Sequence, residues 1–224
     1  MDQATPAHLQ ATELIDCDHA QVKAFAHEHA VGTDERQRMR ALYLAVRDLV
    51  RYDPYHVDLT HYGMKASTAL TIGRGWCVPK AALLTAAARA AGVPARVGYA
   101  DVRNHLSTER LRSAMQSDLF IWHGYSELWL GGGWVKATPA FNIELCERFG
   151  ILALEWDGES DSIYHPFDRA GRQHMEYVAQ RGSFDDVPLA RIQADFAIAY
   201  PRMSATTMRQ ASFDSDVRNE QAPR

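Results

Sequence analysis

Apolar residues recur at helical spacing through Met39, Leu42, Tyr43, Val46, Leu49 and Val50. That period predicts an amphipathic helix with one buried face. Thr33 is its expected cap, Asp34 and Glu35 suit the positive end of its dipole, and Asp53-Pro54 stops it. Asp18 is expected to cap an earlier helix running to about His29 and ended by Gly32. Residues 1–17 read as an irregular arm, with Leu14-Ile15 in a short strand. A loop rich in Tyr and His follows from Tyr55 to Tyr62, and Ser67 is placed to cap a short helix over Thr68–Ile72. Cys77–Ala91 is dense in Ala and Leu and predicts a helix. Pro79 fits its first turn, and Gly92 and Pro94 close it.

The period then shortens. Ala95–Ala100 and Leu119–Leu130 read as strands, and Gly131-Gly132-Gly133 turns the second into Trp134–Thr138 to form a hairpin. Residues 103–117 are polar and fit either a flap or a short helix. Asn142–Phe149 reads as a short helix, and Leu189–Tyr200 as a helix stopped by Pro201. Residues 151–187 are mixed, with turns at Asp157-Gly158 and Arg181-Gly182. Beyond Ser204 the chain is polar and weakly patterned, which predicts disorder. The expected organisation is a single domain over residues 1–204, its core at about 67–142, with a disordered tail over 205–224.

Composition narrows the classes. The chain has 224 residues, 46% hydrophobic and 23% charged, with a net charge of −4. No basic run suggests nucleic acid or an anionic membrane, and no apolar stretch reaches the ~18 residues of a membrane span. The first residues lack the basic and apolar regions of a signal peptide. Cys17, Cys77 and Cys146 are odd in number and form no CxxC pair, so a reducing cytoplasm is the expected compartment. Ten histidines are many, yet none falls in a zinc-type spacing, and His27 and His29 point to different helix faces. Neither a metal nor a cofactor is expected.

The chemistry gathers at Gly73-Arg74-Gly75-Trp76-Cys77. A glycine-flanked turn lets backbone approach a substrate, and Cys77 stands at the expected head of a helix. Free N–H groups there favour a thiolate and can donate to an oxyanion, with Gly75 and Trp76 beside them. Trp76 and Trp122 are candidate walls of a substrate site. His123, between Trp122 and Gly124 in the expected strand, is the candidate base. Alternation puts Ile121, His123 and Tyr125 on one face and Trp122, Gly124 and Ser126 on the other. His105, in a polar loop, is the main competitor for the base. Cys146 reads as core, and Cys17 precedes a helix but lacks the glycine turn.

Gly75-Trp76-Cys77, Ala82-Leu83-Leu84, Arg89-Ala90-Ala91-Gly92-Val93-Pro94-Ala95-Arg96, His123, Trp134 and Thr138-Pro139 stand in an order that resembles the transglutaminase-like superfamily. The resemblance implies an α+β, papain-like core with N-terminal helices. In it the helix that bears the nucleophile packs on an antiparallel sheet. It further implies a Cys–His–Asp triad that attacks an amide carbonyl and passes through a thioester acyl-enzyme. The chain departs from the pattern at the third member. The family's aspartate position is Thr138 here, or Lys136 if the Ala-Thr-Pro tripeptide is the anchor. Asn142 is a candidate to orient the histidine, as is Thr138 through its hydroxyl; Asp157 and Asp101 are weaker candidates.

Three functions follow. The first is a cytoplasmic cysteine-dependent amide hydrolase or acyltransferase. Its substrate would be a peptide, a protein or a small amide, with no nucleic acid and no membrane involved and the oligomeric state left open. The second is a transglutaminase-like binding module of weak or no activity, favoured by the missing aspartate. The third is a metal enzyme using Cys77, His123 and another histidine, which the absence of close-spaced ligands disfavours.

Overall fold

The structure, a computed structural model, describes residues 3–104, 107–163, 175–203 and 211–221. Helices α1 (Ala20–His29), α2 (Glu35–Leu49) and α3 (Ala66–Ile72) pack around α4 (Cys77–Ala90). Two short parallel strands, β1 (Arg51–Tyr52) and β2 (Arg74–Gly75), tie the end of α2 to the turn before Cys77. Helix α4 in turn lies on an antiparallel sheet of order β5-β4-β3-β6. Its strands are β3 (Ala95–Asn104), β4 (Leu119–Leu130), β5 (Gly133–Ala137) and β6 (Met175–Phe184). Helices α5 (Glu109–Met115), α6 (Ile143–Phe149), α7 (Leu189–Ala199) and α8 (Phe213–Gln221) complete the described chain. This is the expected α+β architecture, with the Cys77-bearing helix on an antiparallel sheet.

Helix α4 is buried on every side from Cys77 to Arg89. Its alanines let neighbouring backbones close in, and its few polar groups are therefore obliged to find partners. Lys80, fully buried, donates from Nζ to the carbonyls of Arg47, at 2.8 Å, and Val50. It thus caps the last turn of α2, whose carbonyls have no partner within the helix. The guanidinium of Arg89 donates to the carbonyls of Ala95, Gln10 and Asp185, joining α4 to β3 and both flanks.

Two close approaches explain glycines in the sheet. A Cβ at Gly98 would stand 2.2 Å from the Tyr125 ring, and one at Gly124 would stand 3.0 Å from the Val78 Cα. Gly124 therefore lets β4 press directly on the first turn of α4.

The structure corrects several expectations. Helix α2 is capped by Asp34, which accepts from the Gln37 N–H at 2.9 Å, rather than by Thr33. Helix α3 starts at Ala66, and Ser67 donates its N–H and hydroxyl to Asp16, at 3.0 and 2.6 Å. Leu14-Ile15 forms no strand. Within the polar stretch 103–117, residues 103–104 end β3 and Glu109–Met115 form α5. Residues 175–184 form β6, an edge strand absent from the sequence reading. Within the expected disordered tail, residues 213–221 are helical. Phe213 and Val217 are buried, the Phe213 ring lies 5.2 Å from that of Tyr55, and Tyr55 donates to Asp216 at 2.8 Å. Distant aromatic residues give this otherwise polar helix its buried face.

Candidate active site

Cys77 is the first residue of α4, and Trp76 holds the extended N-cap position before it. Gly75 pairs with Tyr52 in the parallel bridge that fixes this turn. Pairing between β4 and β5 ends at Ser126 and Ala137, and among the described residues no strand pairs with β4 on that side nearer its start. There Gly124 meets α4, and its N–H donates toward the Cys77 thiol. His123 is the residue before that contact, so strand and helix converge within one residue of both candidates.

The electrostatics run against the expectation of a resting thiolate. Burial pushes the Cys77 thiol up to about 11, despite opposing donors at the Gly124, Val78 and Cys77 N–H groups. Burial likewise pulls the His123 imidazole down to about 4, with the Ile163 carbonyl opposing part of that shift. Desolvation outweighs the helix terminus, and the resting pair is neutral thiol and neutral imidazole. His123 Nε2 and Trp76 Nε1 are both buried without a hydrogen-bond partner.

The cover comes from outside the motif. Cys77 borders a small, half-open cavity of about 40 Å³, lined by Tyr52 and Trp76 and by Leu111 and Met115 of α5. Phe196 of α7 and Tyr200 just beyond it form the outer wall. The Phe196 ring lies 5.6 Å from Trp76, and the Tyr200 hydroxyl accepts from the Ile121 N–H at 2.8 Å and donates to the Leu119 carbonyl at 2.7 Å. Sequence reading gave α7 as a helix but no reason to set it over Cys77.

Trp122 is committed to holding that cover. It sits at a bulge opposite Asp101 with φ of 58°. Its N–H donates to Asp101 at 3.0 Å and its indole N–H to Asp195 of α7 at 2.9 Å. Arg181 bridges Asp101 and Asp195, at 2.5 Å each, and stacks over the indole at 4.7 Å.

The third position is occupied by no carboxylate. Thr138 donates its hydroxyl at 2.8 Å to the Ile163 carbonyl, the same carbonyl that favours protonation of His123. Hydroxyl and ring therefore converge on a backbone oxygen. Asn142 is spent elsewhere, its Oδ1 accepting from the Tyr52 N–H at 3.1 Å. Lys136 turns its amine over the Tyr125 ring, and Asp157 holds the N–H groups of its own turn at Glu159 and Ser160. His105 lies outside the described residues. Cys17 and Cys146 are buried, with thiols directed at the Leu9 and Phe141 carbonyls. Among the described residues no group of three or more His, Cys, Asp or Glu could hold a metal ion, and no helix is long and apolar enough to cross a membrane.

A cysteine at the head of a buried helix, against an antiparallel sheet that carries a histidine beside the contact, defines a papain-like α+β protein. Residues 23–139 match the family model described as the transglutaminase-like superfamily, and the chain belongs to that superfamily. A crystal structure from Cytophaga hutchinsonii, named a "Putative Cysteine Protease", is similar over 81% of this chain and 57% of its own, at 14% identity and a TM-score of 0.46. This chain thus spans little more than half the length of that protein. No curated protein matches the chain.

Proposed function

We propose that the protein is a cysteine-dependent amide hydrolase or acyltransferase, with Cys77 as nucleophile and His123 as general base and then acid. The observation that carries this reading is the contact of Gly124, the residue after His123, with Cys77 and Val78 at the head of α4, together with the unspent hydrogen-bonding capacity of the buried His123 Nε2 and Trp76 Nε1. A buried polar atom without a partner costs about 1–3 kcal/mol, and a ligand that bonds to one recovers that cost.

A neutral imidazole has one free nitrogen lone pair, which is the form a base requires. The imidazole takes the thiol proton as sulfur attacks the carbonyl, and the S–C bond forms. The tetrahedral oxyanion accepts from backbone N–H groups near Cys77 and from the Trp76 indole. The imidazolium returns the proton to the leaving amine as the C–N bond breaks, leaving a thioester on Cys77. Water then releases an acid, or a second amine releases a new amide. With Thr138 where the family has its aspartate, the imidazolium is stabilised by the Ile163 carbonyl dipole rather than by a full charge. That substitution predicts slower chemistry than a carboxylate would give.

Acyl trapping tests the proposal. The chain is incubated with p-nitrophenyl esters, quenched in acid and weighed intact. The expected result is one acyl adduct on Cys77, released by neutral hydroxylamine as a thioester is, and absent in Cys77→Ala. A chain that takes no adduct, or takes it equally on Cys17 and Cys146, is a binding module instead.

A further inference from the structure

Two apolar spaces share one wall. One is the small cavity of about 40 Å³ at Cys77, and the other is a surface groove of about 430 Å³ along α7. Val57, Phe196, Tyr200 and Met203 line both. Leu59, Ala197 and Pro201 extend the groove outward, and Gln193, its one amide, donates to the Leu59 carbonyl at 2.7 Å. No charged side chain among the described residues lines either space.

A second approach to Cys77 exists and has a different character. Across Tyr52 lies a polar cleft of about 390 Å³ with Arg51, Arg74 and Arg218 in its walls. Two of its three arginines are already paired with carboxylates, and Arg218 donates to the Asp214 backbone carbonyl at 3.1 Å. Arg51 and Arg148 pair with Asp214, and Arg74 reaches Asp53 at 3.4 Å. An anionic substrate would have to break those pairs to use Arg51 or Arg74, whereas an apolar chain entering the α7 groove displaces only water and a ring. Burial of apolar surface therefore favours the groove.

We infer that the acyl donor is hydrophobic, an amide or ester whose acyl chain is aliphatic or aromatic. It lies in the α7 groove and displaces the Phe196 wall so that its carbonyl reaches Cys77. The inference rests on Cys77 as nucleophile and adds the class of substrate and its route. The cavity at Cys77 holds little more than one water-sized volume, so merging it with the groove is what makes room for the carbonyl.

Alkylation of Cys77 by iodoacetamide, N-hexyl-iodoacetamide and iodoacetate tests it. Rates on the folded chain are read by peptide mass spectrometry and divided by those on the urea-unfolded chain, which removes intrinsic reactivity. The hexyl reagent is expected to be favoured over iodoacetamide by about tenfold or more, with a rate that saturates, since burial of two methylenes already suffices for that factor. Ala197→Glu and Ala197→Lys, at an exposed position, should each remove the preference and leave the iodoacetamide rate within about twofold, as surface changes do. Equal normalised rates, or a preference untouched by both variants, would overturn the inference. Fastest labelling by iodoacetate would assign the route to the arginine cleft, and no labelling of folded Cys77 by any reagent would overturn the route altogether. Each result is read without turnover. A hydrophobic preference in a chain that forms no acyl adduct would defeat the catalytic reading and leave the groove as a ligand site.

Discussion

Lys80 and the Cys77–His123 pair are buried in the same core, with Lys80 one turn along α4 from Cys77, yet they are built in opposite ways. The Lys80 amine is pulled down to about 7 by burial, and it donates to two carbonyls at the end of α2. Its polar capacity is consumed in holding one helix to another. At Cys77 and His123 the same desolvation acts on the thiol and the imidazole, but the buried Trp76 and His123 nitrogens are left without partners. Burial and a displaced pKa are common to both places, so neither marks function by itself. Between these two places, what differs is that the polar capacity is used at Lys80 and unspent at Trp76 and His123.

After the base itself, the largest effect expected from this contrast is at Trp76. Trp76→Phe keeps most of the packing and removes the indole N–H, so acylation of Cys77 should slow by about 10²–10³-fold, the cost of one oxyanion donor. Stopped-flow release of p-nitrophenol measures it. An unchanged rate would make the indole a wall and nothing more.

The pH dependence of stability comes next. His123 titrates near 6.5 when unfolded and near 4 in the fold. Between those values the unfolded chain binds the extra proton, so stability falls as pH drops through that window, by up to about 3 kcal/mol. Urea unfolding at pH 4 to 7 should show the loss, and His123→Gln should flatten that part of the curve. A similar slope in the variant would place the titration elsewhere.

The smallest effect belongs to the fastening. Lys80→Met should leave the Arg47 and Val50 carbonyls without their donor and cost about 2 kcal/mol, again by urea unfolding, with acylation per folded molecule unchanged. A loss of acylation without loss of stability would erase the distinction between the two sites.

Sequence carried the centre of this fold and lost its cover. Strand β4 was legible as Leu119–Leu130, and α4 to within one residue, because both are apolar runs bounded by glycines and prolines. Strand β6 was not, since an edge strand with Glu176, Gln180 and Arg181 lacks an apolar period and is fixed by pairing with β3. Helix α8 was missed because its two buried residues matter only once Tyr52 and Tyr55 are beside them. At the site, the glycine turn and the strand histidine pointed to Cys77 and His123, and Gly124 was legible as a small neighbour. The raised thiol pKa was not legible, because it depends on Phe196 and Tyr200 closing from more than a hundred residues away. Asn142 illustrates the limit in the other direction. Its type suited a triad, but its carbonyl oxygen is held by Tyr52.

The most direct measurement is single-turnover acylation of Cys77 by a p-nitrophenyl ester at pH 7, in the wild type and in His123→Gln. With His123 as the base, the variant should acylate about 10²–10⁴-fold more slowly while unfolding at nearly the same urea concentration. Equal acylation rates in two equally folded proteins would contradict the account and reduce His123 to a buried core residue.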